Sequence, residues 1–241
     1  MKNKTITFET KCWESDWKAI ITDGGYQRKL ESFQRNQFDR KILIINNVDN
    51  SSLVCKESDK LVSKGIIDEW YLVDDYKDIV LQFFDITMDS FKGGYYYSIS
   101  ELVSIYVTNT DYLLHLSSDT NVEIKLEIDW VRDSMNVMEK KPNVICASPV
   151  WNHSFERAKI DSKGVEDENW FYIQRFSDQC YLIPCEYFKQ KIYNEINEIA
   201  DNCFPKYGGE LFEKRVFSHI LNNNLTTITN KRITYMHPNF F

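Results

Sequence analysis

The sequence predicts an α/β protein: one domain, with a central mixed, mostly parallel sheet flanked by helices on both faces. Three observations predict it. Short unbroken apolar runs such as Ile42 to Ile45 read as strands covered on both sides. Amphipathic stretches of helical period lie between them, bounded by Gly, Ser and Asn. Strand and helix signals alternate through the first third of the chain, the order that builds parallel pairs.

At 241 residues the chain can bury a sizeable core, and 43% hydrophobic with 15% aromatic residues marks it as globular. A net charge of -7 argues against nucleic acid as a partner, since phosphate neutralisation needs clustered excess cations. No apolar run approaches the roughly 18 residues of a membrane span, so no transmembrane segment is expected. The start "MKNKTITFET" lacks the apolar core of a signal peptide, giving the expectation of a cytoplasmic protein. The six cysteines include no CxxC pair, which favours buried reduced thiols over a zinc site.

Element by element, "TITFETKCW" alternates as a strand, and "KAIITDGGYQRKLESFQRN" has helical potential interrupted at Gly24 and Gly25. "KILIINNVDNSS" is a strand leading to a turn in which Ser51 or Ser52 caps the next helix, "LVCKESDKLVSKG", which closes at Gly65. "DEWYLVDDYKD" is a third strand ending in Asp74 and Asp75. "SISELVSIYVTNT" follows as a helix capped by Ser98 or Ser100, with Glu101 in its first turn, and "DYLLHLSSDT" is the next strand. "DWVRDSMNVMEKKPNV" is a helix stopped by Pro142, and "VICASPVWN" is a strand. Residues 155–169 read as an irregular mobile loop. "QCYLIP" is a strand, "EYFKQKIYNEIN" and "ELFEKRVFSHILNN" are helices, and "ITYMHPNF" is a closing strand. With no repeat or linker, residues 1–241 form one domain. Its expected halves are about 1–120 and about 121–241.

Polar residues gather where the strands empty. Thr10, Lys11 and Trp13 follow the first strand, Asn46, Asn47 and Asp49 the second, Asp74 and Asp75 the third. Amides and carboxylates at such ends can bind a base edge and a ribose diol. Neither GxGxxG nor GxxxxGK[ST] occurs, which disfavours dinucleotide dehydrogenases and P-loop enzymes. A diphosphate can then be held through a divalent ion on oxygen ligands, and Ser117, Ser118 and Asp119 close a strand with that chemistry.

In its order of elements the chain resembles the GT-A nucleotide-sugar glycosyltransferases. "IINNVDNSS" sits where a strand of that family ends before a Ser-rich turn, "YLLHLSSD" where its DxD metal motif lies, and "YGGELFEKR" resembles its Gly-Gly-acid segment before the acceptor-side helix. Here the triplet keeps only its last acid, Asp119, which implies either a weaker metal site or, as in some members of that family, a late histidine, His237, that completes the metal sphere. The resemblance further implies that residues of about 1–120 form the nucleotide-binding half and about 121–241 the acceptor-binding half, with Mn²⁺ or Mg²⁺ as cofactor, a UDP, GDP or dTDP sugar as donor, and a glycan or glycolipid hydroxyl as acceptor in polysaccharide biosynthesis. Transfer would be inverting, with Glu210 or Glu213 as base. Asp178, Trp151 and Arg157 would contact the acceptor or donor sugar, and Lys11 or Arg157 would offset diphosphate charge.

Plainer roles exist for each. Asp119 suits a helix cap or turn, Glu210 and Glu213 suit a helix N-terminus, and Trp13 suits a core. His115, inside an apolar run, reads as a core histidine with a backbone partner. Two other functions fit the pattern. Sugar-phosphate nucleotidyl transfer lacks its usual glycine-rich basic segment here. A non-catalytic carbohydrate- or nucleotide-binding protein would explain Ser117 in place of an acid.

Overall fold

The protein is described by a computed structural model over residues 4–33, 37–124, 128–204 and 209–237. Its strands are β1 (Ile6–Cys12), β2 (Arg40–Ile45), β3 (Glu69–Leu72), β4 (Tyr112–Leu116), β5 (Asn121–Glu123), β6 (Val144–Trp151), β7 (Trp170–Ile173), β8 (Cys180–Pro184) and β9 (Thr226–Met236). They make one sheet in the order β3-β2-β1-β4-β8-β6-β9-β5, with β7 also paired to β9. The β1, β2, β3 and β4 pairings are parallel, as is β6 with β9. β8 runs against β4 and β6, while β5 and β7 run against β9. The sheet is therefore mixed, with four parallel and four antiparallel pairings in place of the mostly parallel sheet expected: the first four strands pair in parallel, and β5, β7 and β8 run against their neighbours.

The helices are α1 (Gly25–Glu31), α2 (Ser51–Ser63), α3 (Val73–Phe84), α4 (Tyr95–Val107), α5 (Trp130–Lys140), α6 (Phe155–Asp161), α7 (Cys185–Phe188), α8 (Glu198–Cys203) and α9 (Phe212–Asn222). Alternation along each strand serves two cores. Leu43 and Ile45 of β2 pack with Tyr26, Val54 and Trp130 of α1, α2 and α5. Ile42 and Ile44 pack on the other face with Val80, Leu102 and Val216 of α3, α4 and α9.

Several boundaries differ from the sequence reading, each for a local reason. Asn50, not Ser51 or Ser52, caps α2, its Oδ1 accepting from Leu53 N at 3.0 Å. β3 ends at Leu72, so Asp74 and Asp75 form the exposed first turn of α3. α4 begins at Tyr95, which places Ser98, Ser100 and Glu101 inside the helix and buried. Within residues 155–169 the chain forms α6, because Ala158 packs with Val150 and Phe171. The helix expected over "EYFKQKIYNEIN" stops after the single turn α7, where the Tyr193 hydroxyl donates to Phe188 O at 2.5 Å. α3, β5, β7 and α8 are additional elements. β9 starts at Thr226, and its register against β6 shifts between Ser148 and Val150. The last residues of "ITYMHPNF" and the first glycine of "YGGELFEKR" lie outside the described residues.

Gly209 is where the fold sets the entry to α9. Its φ is +68°, and a Cβ there would fall 2.6 Å from Gly94 N and 3.0 Å from Gly93 N. Two glycine segments far apart in sequence thus touch backbone to backbone, and Glu210 N donates to Phe91 O at 3.0 Å. Phe212 N then donates to Ser98 Oγ at 2.8 Å, fixing the first turn of α9 on α4.

Candidate active site

Because β1, β2, β4, β6 and β9 are parallel, their carboxyl ends share one edge of the sheet, and antiparallel β8 begins there. Asp119 lies in the turn after β4 and His237 directly follows β9, and their Oδ2 and Nε2 are 3.0 Å apart. Two candidate ligands separated by more than a hundred residues in sequence therefore meet. Carboxylate plus imidazole suits Mn²⁺, and Mg²⁺ takes one or two carboxylates with the remaining positions filled by phosphate and water oxygens. Among the described residues no group of three or more His, Cys, Asp or Glu is placed to hold a metal, so such an ion would need its bound substrate's oxygens.

The turn carrying Asp119 is braced on both sides. Ser117 N donates to Gln179 O at 2.8 Å, and Lys29 Nζ donates to Ser117 O at 2.8 Å and Thr120 O at 2.5 Å. Burial lowers the Lys29 pKa to about 8 against the opposing pull of Asp119. Asp16 bonds the Ser118 side chain, and burial, with Asp119 nearby, raises its carboxyl.

Beside this turn a cavity of about 500 Å³ is lined by residues that include Trp151, Arg157, Arg175, Asp178, Glu213 and His237. Asp178 precedes β8 and Glu213 sits in the first turn of α9. The Asp178 backbone N–H donates to the Glu213 carboxylate, and burial followed by the Asp178 charge pushes the Glu213 pKa well up. Glu210 is absent from this lining. It pairs with Lys214 at 3.1 Å and lies 3.5 Å from Arg215. Geometry thus separates the two glutamates that the sequence could not.

Several strand-end residues serve the framework. Thr10 is wholly buried and its hydroxyl donates to Leu116 O at 2.5 Å. Lys11 is paired with Glu101. Asn46 and Asn47 donate their side-chain N–H groups to Tyr96 O at 3.0 and 3.2 Å. Asp74 and Asp75 follow β3 in the first turn of α3, where Asp74 holds Lys77 at 2.8 Å. Thr10 and Lys11 are thus held within the framework, while Asp74 and Asp75 stand exposed on the first turn of α3. Asp49 and Trp13 remain at the open edge, Trp13 half exposed with its N–H on Asp16 at 2.8 Å.

Sequence reasoning missed a buried cluster beneath this edge. Glu9 bonds His115 Nδ1, Glu101 bonds Lys11 and accepts from the Tyr181 hydroxyl at 2.6 Å, and His115 stacks on Tyr181 at 4.7 Å. Burial lowers the His115 pKa, but Glu101 and Glu9 outweigh it and the net shift is upward. Burial raises Glu101, yet His115 and Lys11 bring it below its ordinary value. The partner of His115 is a carboxylate and not the expected backbone group. The available signal was Glu9, a lone acid in a strand otherwise committed to the core.

No protein-family profile and no curated protein matches this chain in sequence. Solved structures do resemble it. GalNAc-T7, solved with UDP, GalNAc and Mn²⁺, superposes with a TM-score of 0.58 at 8% identity, over 98% of this chain and 44% of that one. This chain therefore spans less than half of the GalNAc-T7 chain. Mouse xyloside xylosyltransferase 1 in its apo form gives 0.47 at 12% identity, over 91% of this chain and 82% of that one. The galactosyltransferase LgtC, in complex with donor and acceptor sugar analogs, gives 0.46 at 11%, over 92% and 72%. The first of these carries the assignment, and what it shows is the fold: the chain has the GT-A glycosyltransferase fold.

Proposed function

We propose that the chain is a nucleotide-sugar-dependent glycosyltransferase that binds its donor at the carboxyl edge of β1, β2 and β4 and its acceptor in the cavity bounded by β6, β8 and α9. The observation that carries this reading is the meeting of Asp119 and His237 beside a cavity holding Asp178 and Glu213. Asp119 and His237 would hold Mn²⁺ or Mg²⁺, which supplies positive charge against the negative charge that develops on a departing diphosphate. Trp13 and Asp49 stand at the open edge where a nucleoside would lie.

Transfer requires the acceptor oxygen to bond the anomeric carbon while the carbon–oxygen bond to the diphosphate breaks and its electron pair leaves with the phosphate. The acceptor hydroxyl must lose its proton, and Glu213, reached from the cavity, is the residue to take it. Its raised pKa makes it a stronger base once ionised. Activity should therefore rise with pH through a limb above the ordinary carboxylate range. A base acting on the face opposite the leaving group gives inversion.

The test is release of nucleoside diphosphate from UDP, GDP and dTDP sugars with Mn²⁺, using wild type, Glu213→Gln and Glu210→Gln. Glu213→Gln should lose turnover by roughly a hundredfold or more with donor binding retained, while Glu210→Gln keeps it. Equal activity of both variants removes Glu213 as the base. Nucleotide binding with no turnover in wild type favours the binding-protein reading.

A further inference from the structure

Two arginines in the cavity wall share one counter-ion. Arg157 lies on α6 and Arg175 follows β7, and each approaches the largely buried Asp161 through Nε, at 3.2 Å and 3.0 Å. Among the described residues, the terminal nitrogens of neither guanidinium have a hydrogen-bond partner. Both side chains line the cavity and are partly exposed. One carboxylate against two guanidiniums leaves an excess positive charge, with Nε engaged and the fork ends free. Such paired forks match the oxygens of a carboxylate or phosphate. Asp178 and Glu213 also line the cavity, but from β8 and α9. With the Glu213 pKa pushed well up, they do not both oppose an anion at the arginines.

Position assigns this wall to the acceptor. The metal candidates sit at the carboxyl ends of β4 and β9, whereas the Arg175 carbonyl accepts from Thr227 Oγ1 at 2.8 Å, near the amino end of β9. We infer that Arg157 and Arg175 receive an anionic group, carboxylate or phosphate, on the sugar or polyol that accepts the transferred sugar. The term acceptor rests on the glycosyltransferase reading, whereas the anion preference rests on the wall itself.

Isothermal titration of the full chain with glucose, glucuronate and glucose 6-phosphate tests it, alongside thermal shifts with UDP and Mn²⁺. One or both anionic probes should bind at least roughly tenfold more tightly than glucose, and the tighter of the two distinguishes carboxylate from phosphate. Arg157→Gln and Arg175→Gln should each remove roughly tenfold of that affinity. Arg175→Lys keeps a cation on Asp161 and covers the case in which the glutamine variants do not fold; it should still bind the anion more weakly than wild type, lacking the fork. Anionic probes that bind no better than glucose overturn the inference. So do variants that weaken the UDP response while leaving probe affinity intact, because the arginines would then serve the donor. If anionic probes bind through the arginines and no nucleotide produces a shift, the anion site stands and the glycosyltransferase reading falls.

Discussion

Lys11 joins two parts of the molecule that its place in the sequence does not reveal. Its ammonium bonds Glu101 in the core, and burial, which lowers its pKa, is outweighed by Glu101 and then Asp178 at the cavity, so the net shift is upward. Removing one partner of a buried ion pair leaves the other charge uncompensated. Lys11→Met should therefore cost about 3 kcal/mol near neutral pH. The folded pKa of Glu101 is lowered, so its contribution is present above its unfolded value, about 4.3, and is lost as pH falls through the lowered folded value. The penalty of Lys11→Met should accordingly shrink in acid, where a protonated Glu101 needs no counter-ion. Denaturant unfolding at neutral and acidic pH checks this, and an equal penalty at both would mean that Lys11 does not compensate Glu101. The sequence hid the cluster because register decides it: Glu9 stands opposite His115 across β1 and β4, and nothing in either segment announces that pairing. The metal candidates were readable singly, Asp119 from its strand end and His237 from the family resemblance, but their 3.0 Å approach is a property of the fold.

Among the elements, most of those with a long, clean period were legible. β1, β2, β4, β6, β8, α2, α5 and α9 lie where alternation or helical spacing predicts them. α6, α7, α8, β5 and β7 escape the sequence because each is short enough that tertiary contacts decide it, as Ala158 does for α6 against Val150 and Phe171, whereas the twelve-residue α3 escapes because its opening Asp74 and Asp75 read as the turn that ends a strand. α4 was started too late because serines resemble caps, whereas the buried Ser98 donates its hydroxyl to Gly94 O at 2.8 Å inside the helix. The entry to α9 provides a sharp test of how an element is placed. Gly209 and Gly65 share a positive φ, +68° and +67°, but only Gly209 has backbone where a Cβ would go. Gly65→Ala should cost about 1 kcal/mol, the conformational penalty alone. Gly209→Ala should cost more, roughly 2–3 kcal/mol, and lower nucleotide-sugar turnover, because the 93–94 segment must give way and Glu213 shifts with α9. Equal costs from chemical denaturation would show that the glycine-to-glycine contact does not hold the helix.

At the scale of the whole molecule, one sheet collects every part of the site. Strands that agree in direction bring Trp13, Asn46, Asp119, Trp151 and His237 to a common edge, and the reversed β8 contributes Asp178 there. This much was foreseeable, since alternating strands and helices imply a parallel sheet and parallel sheets bind at their carboxyl ends. What the sequence could not provide is the crossing of the late strands: β6, β8 and β9 interleave, and only that order puts His237 beside Asp119. Among the described residues no helix is long and apolar enough to cross a membrane. Glycosyl transfer at this edge requires it to be a metal-dependent nucleotide site. The most direct measurement is the melting temperature of wild type and Asp119→Asn with UDP, GDP and dTDP, each with Mn²⁺, Mg²⁺ or chelator. A ligand that binds only the folded state at a hundredfold over its dissociation constant adds about 2.7 kcal/mol, a shift of several degrees. A metal-dependent nucleotide site should give such a shift for one nucleotide in wild type, dependent on metal and lost in Asp119→Asn. A shift that survives both chelator and the substitution, or no shift with any nucleotide, would contradict it.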